Sequence, residues 1–354
     1  MVQVMAQQPS EVHGGRFARL FDAVQLFRPR TLARLGKTDE KLQQQVDALF
    51  AEVRTLKTAL DQANTRERQL RAVLKAECAS DDSRVIRFEA ALKDVRFEQH
   101  VAESIGKASL HLDPFPHCVV DNLLPDWYYD ALIAALPPAD LFADRPENKQ
   151  QLTVPLELGP SYSMRVWDHM ATVVTEEAIK PAVLAKFHKP LTKWLQEVLP
   201  VLGNDPVVQL NIHCSNGRIL LRRRGYRIPP HRDPKWGFIT CLMYLARKKD
   251  DQRWGTQLFA VDGDKEALGP KPHWIADTQC RLVRDIAFRP NRALIFLNSA
   301  GAHGAQIPAD AEPADLERYA LQFRIGPDRR SMESVCAQLP AEQEPFWAGK
   351  GGDY

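Results

Sequence analysis

Apolar and polar residues alternate with three different periods along this chain, and each period marks a different element. Leu42, Val46, Leu49, Val53, Leu56, Leu60, Ala63, Leu70 and Leu74 recur at steps of four and three, with Glu67 the one polar break. No Gly or Pro falls within residues 38–75. The spacing predicts one long helix with a narrow apolar seam, the pattern of a coiled coil over residues 38–78. Ser80-Asp81-Asp82-Ser83 then interrupts the pattern and can cap a second helix. In it Val85, Phe88, Leu92, Val95 and Phe97 continue a helical period to about Ile105, so residues 80–106 are expected to form a helical linker. LHLDPFPHCVV, residues 110–120, brings prolines and a β-branched pair and reads as the entry to a new domain, 107–335. Helices are expected at 126–137 and 175–202. From Val207 onward the period falls to two, in short apolar strands broken by Gly, Pro and Asp clusters. There is no βαβ alternation and no GxGxxG, which disfavours a dinucleotide fold.

Composition narrows the class of protein. The 47 Lys and Arg against 45 Asp and Glu imply no nucleic-acid partner. The six cysteines form no CxxC pair, which fits a reduced, cytoplasmic setting. Residues 1–15 lack an apolar core of the signal-peptide kind, and no stretch approaches the roughly 20 apolar residues of a membrane span. Residues 16–36 mix Leu20, Phe21, Val24, Leu26 and Phe27 with Arg16, Arg19, Arg28, Arg30 and Arg34. Such a segment can touch an anionic membrane surface, but Pro29 interrupts it, so 1–37 is expected as a partly disordered basic leader. Residues 336–354 are expected as a C-terminal tail.

Candidate chemistry concentrates in YRIPPHRDPKWGFITCLMYL, residues 226–245. In extended chain His231 and Asp233 share a face, immediately before the buried-strand run Phe238–Leu245. A third donor, His303, follows seventy residues after Asp233, behind the strand Arg292–Leu297 and the loop 298–302. Two histidines and one carboxylate leave one face of an iron coordination sphere open, whereas structural zinc prefers four protein ligands. In RYALQFRI, residues 318–325, Tyr319, Leu321, Phe323 and Ile325 lie on one face, and Arg318, Ala320, Gln322 and Arg324 on the other. Such a strand suits a barrel whose lumen is a binding site. A buried guanidinium calls for an anion, and its fork matches a carboxylate, so a dicarboxylate or similar acid is expected there.

His231-Arg232-Asp233, then His303, then Arg318 on a late strand together resemble the Fe(II)/2-oxoglutarate-dependent dioxygenases, and their prolyl-4-hydroxylase-like branch most. RRRGYRIPPHRD is similar to the family's approach to its HxD motif, GTQLFAV at 255–261 to its Gly-x-x-Leu strand, and RYALQF to its arginine strand. The interval of fifteen residues from His303 to Arg318 is longer than is usual there, because of the acidic, loop-like PADAEPADLE. The resemblance spans about residues 110–330 and implies an α+β chain: a double-stranded β-helix (jelly-roll) domain with flanking helices. It implies His231, Asp233 and His303 as iron ligands and Arg318, with Tyr244, as the 2-oxoglutarate site. O2 is then a cosubstrate, with ascorbate admitted as a reductant, and a substrate C–H bond is hydroxylated with succinate and CO2 as coproducts.

Several assignments stay open at the level of sequence. Arg324 competes with Arg318 for the cosubstrate carboxylate, and Tyr244 reads equally as a core tyrosine. Arg222, Arg223 and Arg224 read as a solvated basic face or as contacts to an anionic substrate. Trp236 either walls the pocket or packs, while His213, His273 and Cys214 read as structural. The acceptor is a peptidyl, prolyl-like side chain or else a small molecule or glycan-linked group. A reading of another class is a coiled-coil scaffold whose barrel binds 2-oxoglutarate without turnover. The seam predicts a parallel homo-oligomer, a dimer or trimer; the alternative is a helix folded back on residues 83–105.

Overall fold

The apolar runs after Val207 assemble into two antiparallel sheets. The computed structural model describes residues 38–79, 83–93, 96–145, 149–262, 273–298, 301–341 and 347, so the basic leader expected at 1–37 lies outside the described residues. The chain divides into two units, Met1–Arg68 and Gln69–Tyr354.

In the first unit the heptad pattern is realised as helix. The single helix Thr38–Cys78 begins there and runs on into the second unit. Leu49, Val53, Leu56 and Leu60 are all exposed.

The second unit carries thirteen strands among its described residues: β1 (His117–Val120), β2 (Ala143–Arg145), β3 (Lys149–Val154), β4 (Ile212–Cys214), β5 (Gly217–Arg222), β6 (Arg227–Arg232), β7 (Ile239–Tyr244), β8 (Thr256–Val261), β9 (His273–Trp274), β10 (Cys280–Ile286), β11 (Arg292–Leu297), β12 (Ala302–Gln306) and β13 (Arg318–Pro327). The larger sheet runs β1-β11-β7-β13-β5-β3-β2, with β4 also on β13; the smaller runs β10-β8-β12-β6-β9. Going along the chain, β5, β7, β11 and β13 enter the larger sheet, while β6, β8, β10 and β12 enter the smaller. This weave of eight strands between two facing sheets is a jelly roll.

Residue parity in the larger sheet decides what faces what. Ile219, Leu221, Cys241, Met243, Ile295, Leu321 and Phe323 join one core with Val101, Ile105, Val166, Trp167, Val183 and Phe187 of the helices. Their neighbours Leu220, Leu242, Tyr244, Leu294, Phe296 and Ala320 join a second cluster with Leu258, Ile286 and Phe288, between the sheets. β7 and β11 are thus buried on both faces, which is why they read as unbroken apolar runs.

The helices differ in extent from the sequence reading. The helix expected at 126–137 spans Asp126–Ala134. The one expected at 175–202 begins far earlier, as Ser161–His169, continues through a π-helical stretch Met170–Ile179 and ends as Lys180–Val198. Residues 83–107 form the helices Ser83–Leu92 and Phe97–Lys107, whose Phe88, Phe97, Val101 and Ile105 are buried in the helix-side core. Trp347, in the segment expected as a tail, is 1% exposed with its ring 5.9 Å from that of Trp194.

Asp121 ties the end of β1 to β11. Its carboxylate accepts from Arg292 Nε at 2.6 Å and Nη2 at 2.8 Å. That bidentate hydrogen bond holds the Asp121 carboxyl below its ordinary range. A carboxyl depressed in the folded state stabilises above its unfolded pKa and ceases to as pH falls through the folded value. Asp121→Asn is therefore expected to lower the thermal midpoint at pH 7, with the gap from the parent narrowing below about pH 4. A gap that widens on acidification would contradict this role.

Candidate metal centre

Antiparallel pairing of β6 with β12 sets His231 directly opposite His303. Their rings stand 4.2 Å apart, centroid to centroid. Asp233 follows β6 by one residue, and His303 Nε2 lies 4.0 Å from its Oδ2. One ligand atom from each of the three falls within 4.8 Å of the others. Among the described residues no other group of His, Cys, Asp or Glu side chains is so placed. The sequence expectation put His303 on a loop, but it sits within β12. Glycine on either side is a packing requirement. A Cβ at Gly301, where φ is +82°, would stand 2.3 Å from the Phe115 ring, and one at Gly304 would stand 2.9 Å from the Ile228 carbonyl oxygen.

The surroundings prepare these groups as ligands. His231 Nδ1–H donates to the Pro229 carbonyl at 2.9 Å, which fixes the ring and leaves Nε2 with its lone pair. Burial is the main cause that lowers both imidazole pKa values, His303 to about 3, so both rings are neutral near pH 7. For Asp233 burial works to raise the pKa, but the Arg324 cation and the Thr240 hydroxyl outweigh it and keep the carboxylate ionised. Arg324 Nη2 donates to Oδ1 at 2.9 Å, and Thr240 Oγ1 donates to Oδ2 at 2.7 Å. Asn298 Nδ2 donates in turn to Thr240 Oγ1 at 3.1 Å and to the Gly237 carbonyl. Two neutral imidazoles and one oriented carboxylate, all desolvated, suit a divalent cation of the iron type.

The arginines divide by position. Arg318 opens β13, 1% exposed, with its Nε and Nη2 lacking any hydrogen-bond partner. Asp250 Oδ2 lies 3.9 Å from Nη1, and the guanidinium sits 4.7 Å over the Phe288 ring. Burial lowers its pKa, with Asp250 opposing. Arg324, six residues on, is committed to Asp233 and stacks 5.4 Å from Trp236, which is buried. Tyr244, opposite Ala320 on β13, points between the sheets 5.2 Å from Phe288. Its hydroxyl is buried beside that of Thr256, and burial pushes its pKa up to about 12. The Arg222–Arg224 run splits: Arg222 is 8% exposed, Arg223 meets Glu317 at 2.8 Å, and Arg224 donates to the Ala309 carbonyl. Cys214, on β4, belongs to the helix-side core, and its neighbour His213 is opposite Gly326. The His273 side chain lies outside the described residues.

Sequence reasoning passed over Thr240, Asn298 and Asp250. Thr240 left a signal, as the one aliphatic hydroxyl of an apolar run, sharing parity with Tyr244. Asp250, inside RKKDD, left none. The PADAEPADLE stretch is also less of a free loop than it reads, since Ala311 and Leu316 are buried with Tyr226 and Ile307.

No protein-family model matches the chain, and no curated protein does. Solved structures similar to it include a Trichoplax adhaerens prolyl hydroxylase in complex with a hypoxia inducible factor oxygen degradation domain peptide fragment. It is 15% identical, with 71% of this chain and 96% of that chain covered and a TM-score of 0.35. A Pseudomonas putida prolyl-4-hydroxylase is 12% identical over 66% and 100%, with a TM-score of 0.34. HygX from Streptomyces hygroscopicus, with nickel, 2-oxoglutarate and hygromycin B bound, is 14% identical over 66% and 88%, with a TM-score of 0.37. Identities and TM-scores this low decide nothing about activity, so the reading of the site rests on its own atoms.

Calorimetric titration with Mn(II) is expected to show one strong site in the parent protein. Asp233→Ala and His303→Ala should lose it with the fold retained by circular dichroism. Thr240→Val, which only frees the carboxylate to turn, should weaken it about 10–100-fold. Parent-like binding by Asp233→Ala would remove the trio from consideration.

Proposed function

We propose that this protein is an Fe(II)- and 2-oxoglutarate-dependent oxygenase of residues 107–335, hydroxylating a C–H bond of an acceptor. One observation carries the reading. A trio that could hold a metal ion stands beside Phe296, and a buried, hydrogen-bond-deficient Arg318 stands over Phe288, two rings of one apolar cluster between the sheets of a jelly roll. Bound iron supplies the oxidising chemistry, coupling O2 and 2-oxoglutarate decarboxylation, with ascorbate as auxiliary reductant, to substrate hydroxylation.

The chain's own residues do the rest. His231, Asp233 and His303 hold the metal from one side and leave the other open. Arg324 and Thr240 keep the Asp233 carboxylate from rotating away. Arg318 takes the distal carboxylate of 2-oxoglutarate in its vacant N–H fork, and the Tyr244 hydroxyl donates to the same group. Leu220, Leu242, Leu294 and Phe296 line the space with hydrocarbon and exclude water.

The acceptor we favour is a peptidyl, prolyl-like side chain. A second reading, a small molecule or glycan-linked group, draws on Trp274: its ring is 45% exposed and 5.3 Å from that of His231, a face on which a sugar or ring can stack. In a third, of another class, the barrel binds 2-oxoglutarate without turning it over.

The long helix supplies the assembly. Leu49, Leu56 and Leu60 are 60%, 62% and 52% exposed along its seam. The alternative partner, residues 83–105, already commits Phe88, Phe97, Val101 and Ile105 to the helix-side core. We propose pairing of this helix with a second copy, as a parallel dimer or trimer.

Succinate release from 2-oxoglutarate is expected with Fe(II) and to vanish on chelation; its absence would favour the silent scaffold. Arg318→Leu should raise the 2-oxoglutarate KM about 10-fold or more, with Mn(II) affinity kept, whereas Arg324→Leu should act first on metal affinity. The reverse ranking would move the clamp to Arg324. Turnover stimulated by a peptide pool rather than a metabolite pool would select the peptidyl acceptor. In sedimentation, the full chain should exceed its 40.1 kDa monomer mass and Leu49→Lys/Leu56→Lys/Leu60→Lys should fall to it. A monomeric parent would end the assembly proposal.

A further inference from the structure

We propose that Arg222 is a second arm of the cosubstrate clamp, so that one carboxylate of 2-oxoglutarate is gripped by two arginines from adjacent strands. The proposal rests on the oxygenase reading above and assigns a residue to it.

Register places the two together. Arg222 on β5 is the direct partner of Arg318 on β13. Directly opposed residues of neighbouring strands project to the same side with Cβ atoms about 5 Å apart. Arg318 and Ala320 share parity, and Ala320 lies with Phe288 in the cluster between the sheets, while Arg222 projects from the same side of the sheet toward Tyr226. Arg222 is 8% exposed and its Nε has no hydrogen-bond partner. Arg318 Nε and Nη2 are likewise buried without hydrogen-bond partners. Ala320, opposite Tyr244 and two residues from Arg318, leaves room there.

Stacking and charge both point to an anion of one kind. The Arg222 guanidinium lies 5.1 Å over the Tyr226 ring, and that of Arg318 lies 4.7 Å over Phe288. A guanidinium held by its face keeps its N–H edge available for planar, bidentate binding. Two like charges directly opposite, away from water, repel and need compensation. Asp250, 3.9 Å from Arg318, supplies one negative charge. Two guanidiniums and one aspartate leave a single positive charge, which one carboxylate closes. Lys149, opposite Arg222 on its other side, is engaged in interactions of its own. At the metal, Arg324 and Asp233 offset each other. The cation there is left for the 2-oxo acid end of the same ligand.

The arrangement makes a distinct demand on ligands: the distal carboxylate should matter more than in a site with one cation. Calorimetry with the Mn(II)-loaded full chain under nitrogen compares 2-oxoglutarate with 2-oxopentanoate, which lacks that carboxylate. The parent is expected to prefer 2-oxoglutarate at least about 100-fold. Arg222→Leu should weaken 2-oxoglutarate about tenfold or more, as loss of a charge-assisted contact does, and leave 2-oxopentanoate unchanged. Arg222→Lys should fall between, and Arg222→Leu/Arg318→Leu should lose less than the two single losses combined, because one ligand group is shared. Mn(II) affinity is measured on every variant as the control for folding. Equal 2-oxoglutarate affinity in parent and Arg222→Leu, or an equal loss for both oxo acids, would overturn the proposal. A parent that binds Mn(II) but not 2-oxoglutarate would instead overturn the oxygenase reading itself, and this inference with it.

Discussion

Everything at the centre of this protein follows from one constraint: a carboxylate buried between two sheets stays ionised only if it is surrounded. Asp233 is 7% exposed, in a lumen whose other walls are largely hydrocarbon. Desolvation alone would protonate it, and the isolated charge would cost several kcal/mol. Arg324 from β13 and Thr240 from β7 arrive from different strands to prevent this. The weave of the jelly roll is what brings those strands to one point, so the fold and the charged site are parts of the same solution.

The lumen carries two charged ends joined by an apolar waist. At one end the negative Asp233 stands with two neutral imidazoles, a donor set that calls for a cation. At the other, Arg318 leaves positive charge and open N–H groups, which call for an anion. A ligand with an oxo-acid head and a distal carboxylate answers both ends at once, whereas a neutral ligand answers neither. Leu220, Leu242 and Phe296 between them keep water from screening either end.

What was legible in the sequence was local. The two-residue period of RYALQFRI places Arg318 and Arg324 inside and Leu321 and Phe323 outside, and the sheet keeps that division. The same period aligned His231 with Asp233, and the heptad seam became a helix. What was not legible depended on pairing or on interrupted periods. Arg222 read only as one of three arginines, on a solvated face or against an anionic substrate, because its opposition to Arg318 is a register between strands far apart in sequence. His303 read as a loop residue because glycines on either side suggest a turn, whereas here they make room for Phe115 and the Ile228 carbonyl. The start of the helix at Ser161 was hidden because the π-helical Met170–Ile179 shifts the apolar face and blurs a 3.6-residue period.

X-ray absorption at the iron edge of the Fe(II)-loaded protein tests the central claim most directly, because it reads the ligands by element and by ring. Scattering from two imidazoles beside oxygen donors is expected, falling to one imidazole in His303→Ala. Addition of 2-oxoglutarate should change the oxygen shell while both imidazoles stay. Sulfur in the shell, no imidazole scattering, or a spectrum indifferent to His303→Ala would contradict the assignment of His231, Asp233 and His303 as the metal centre.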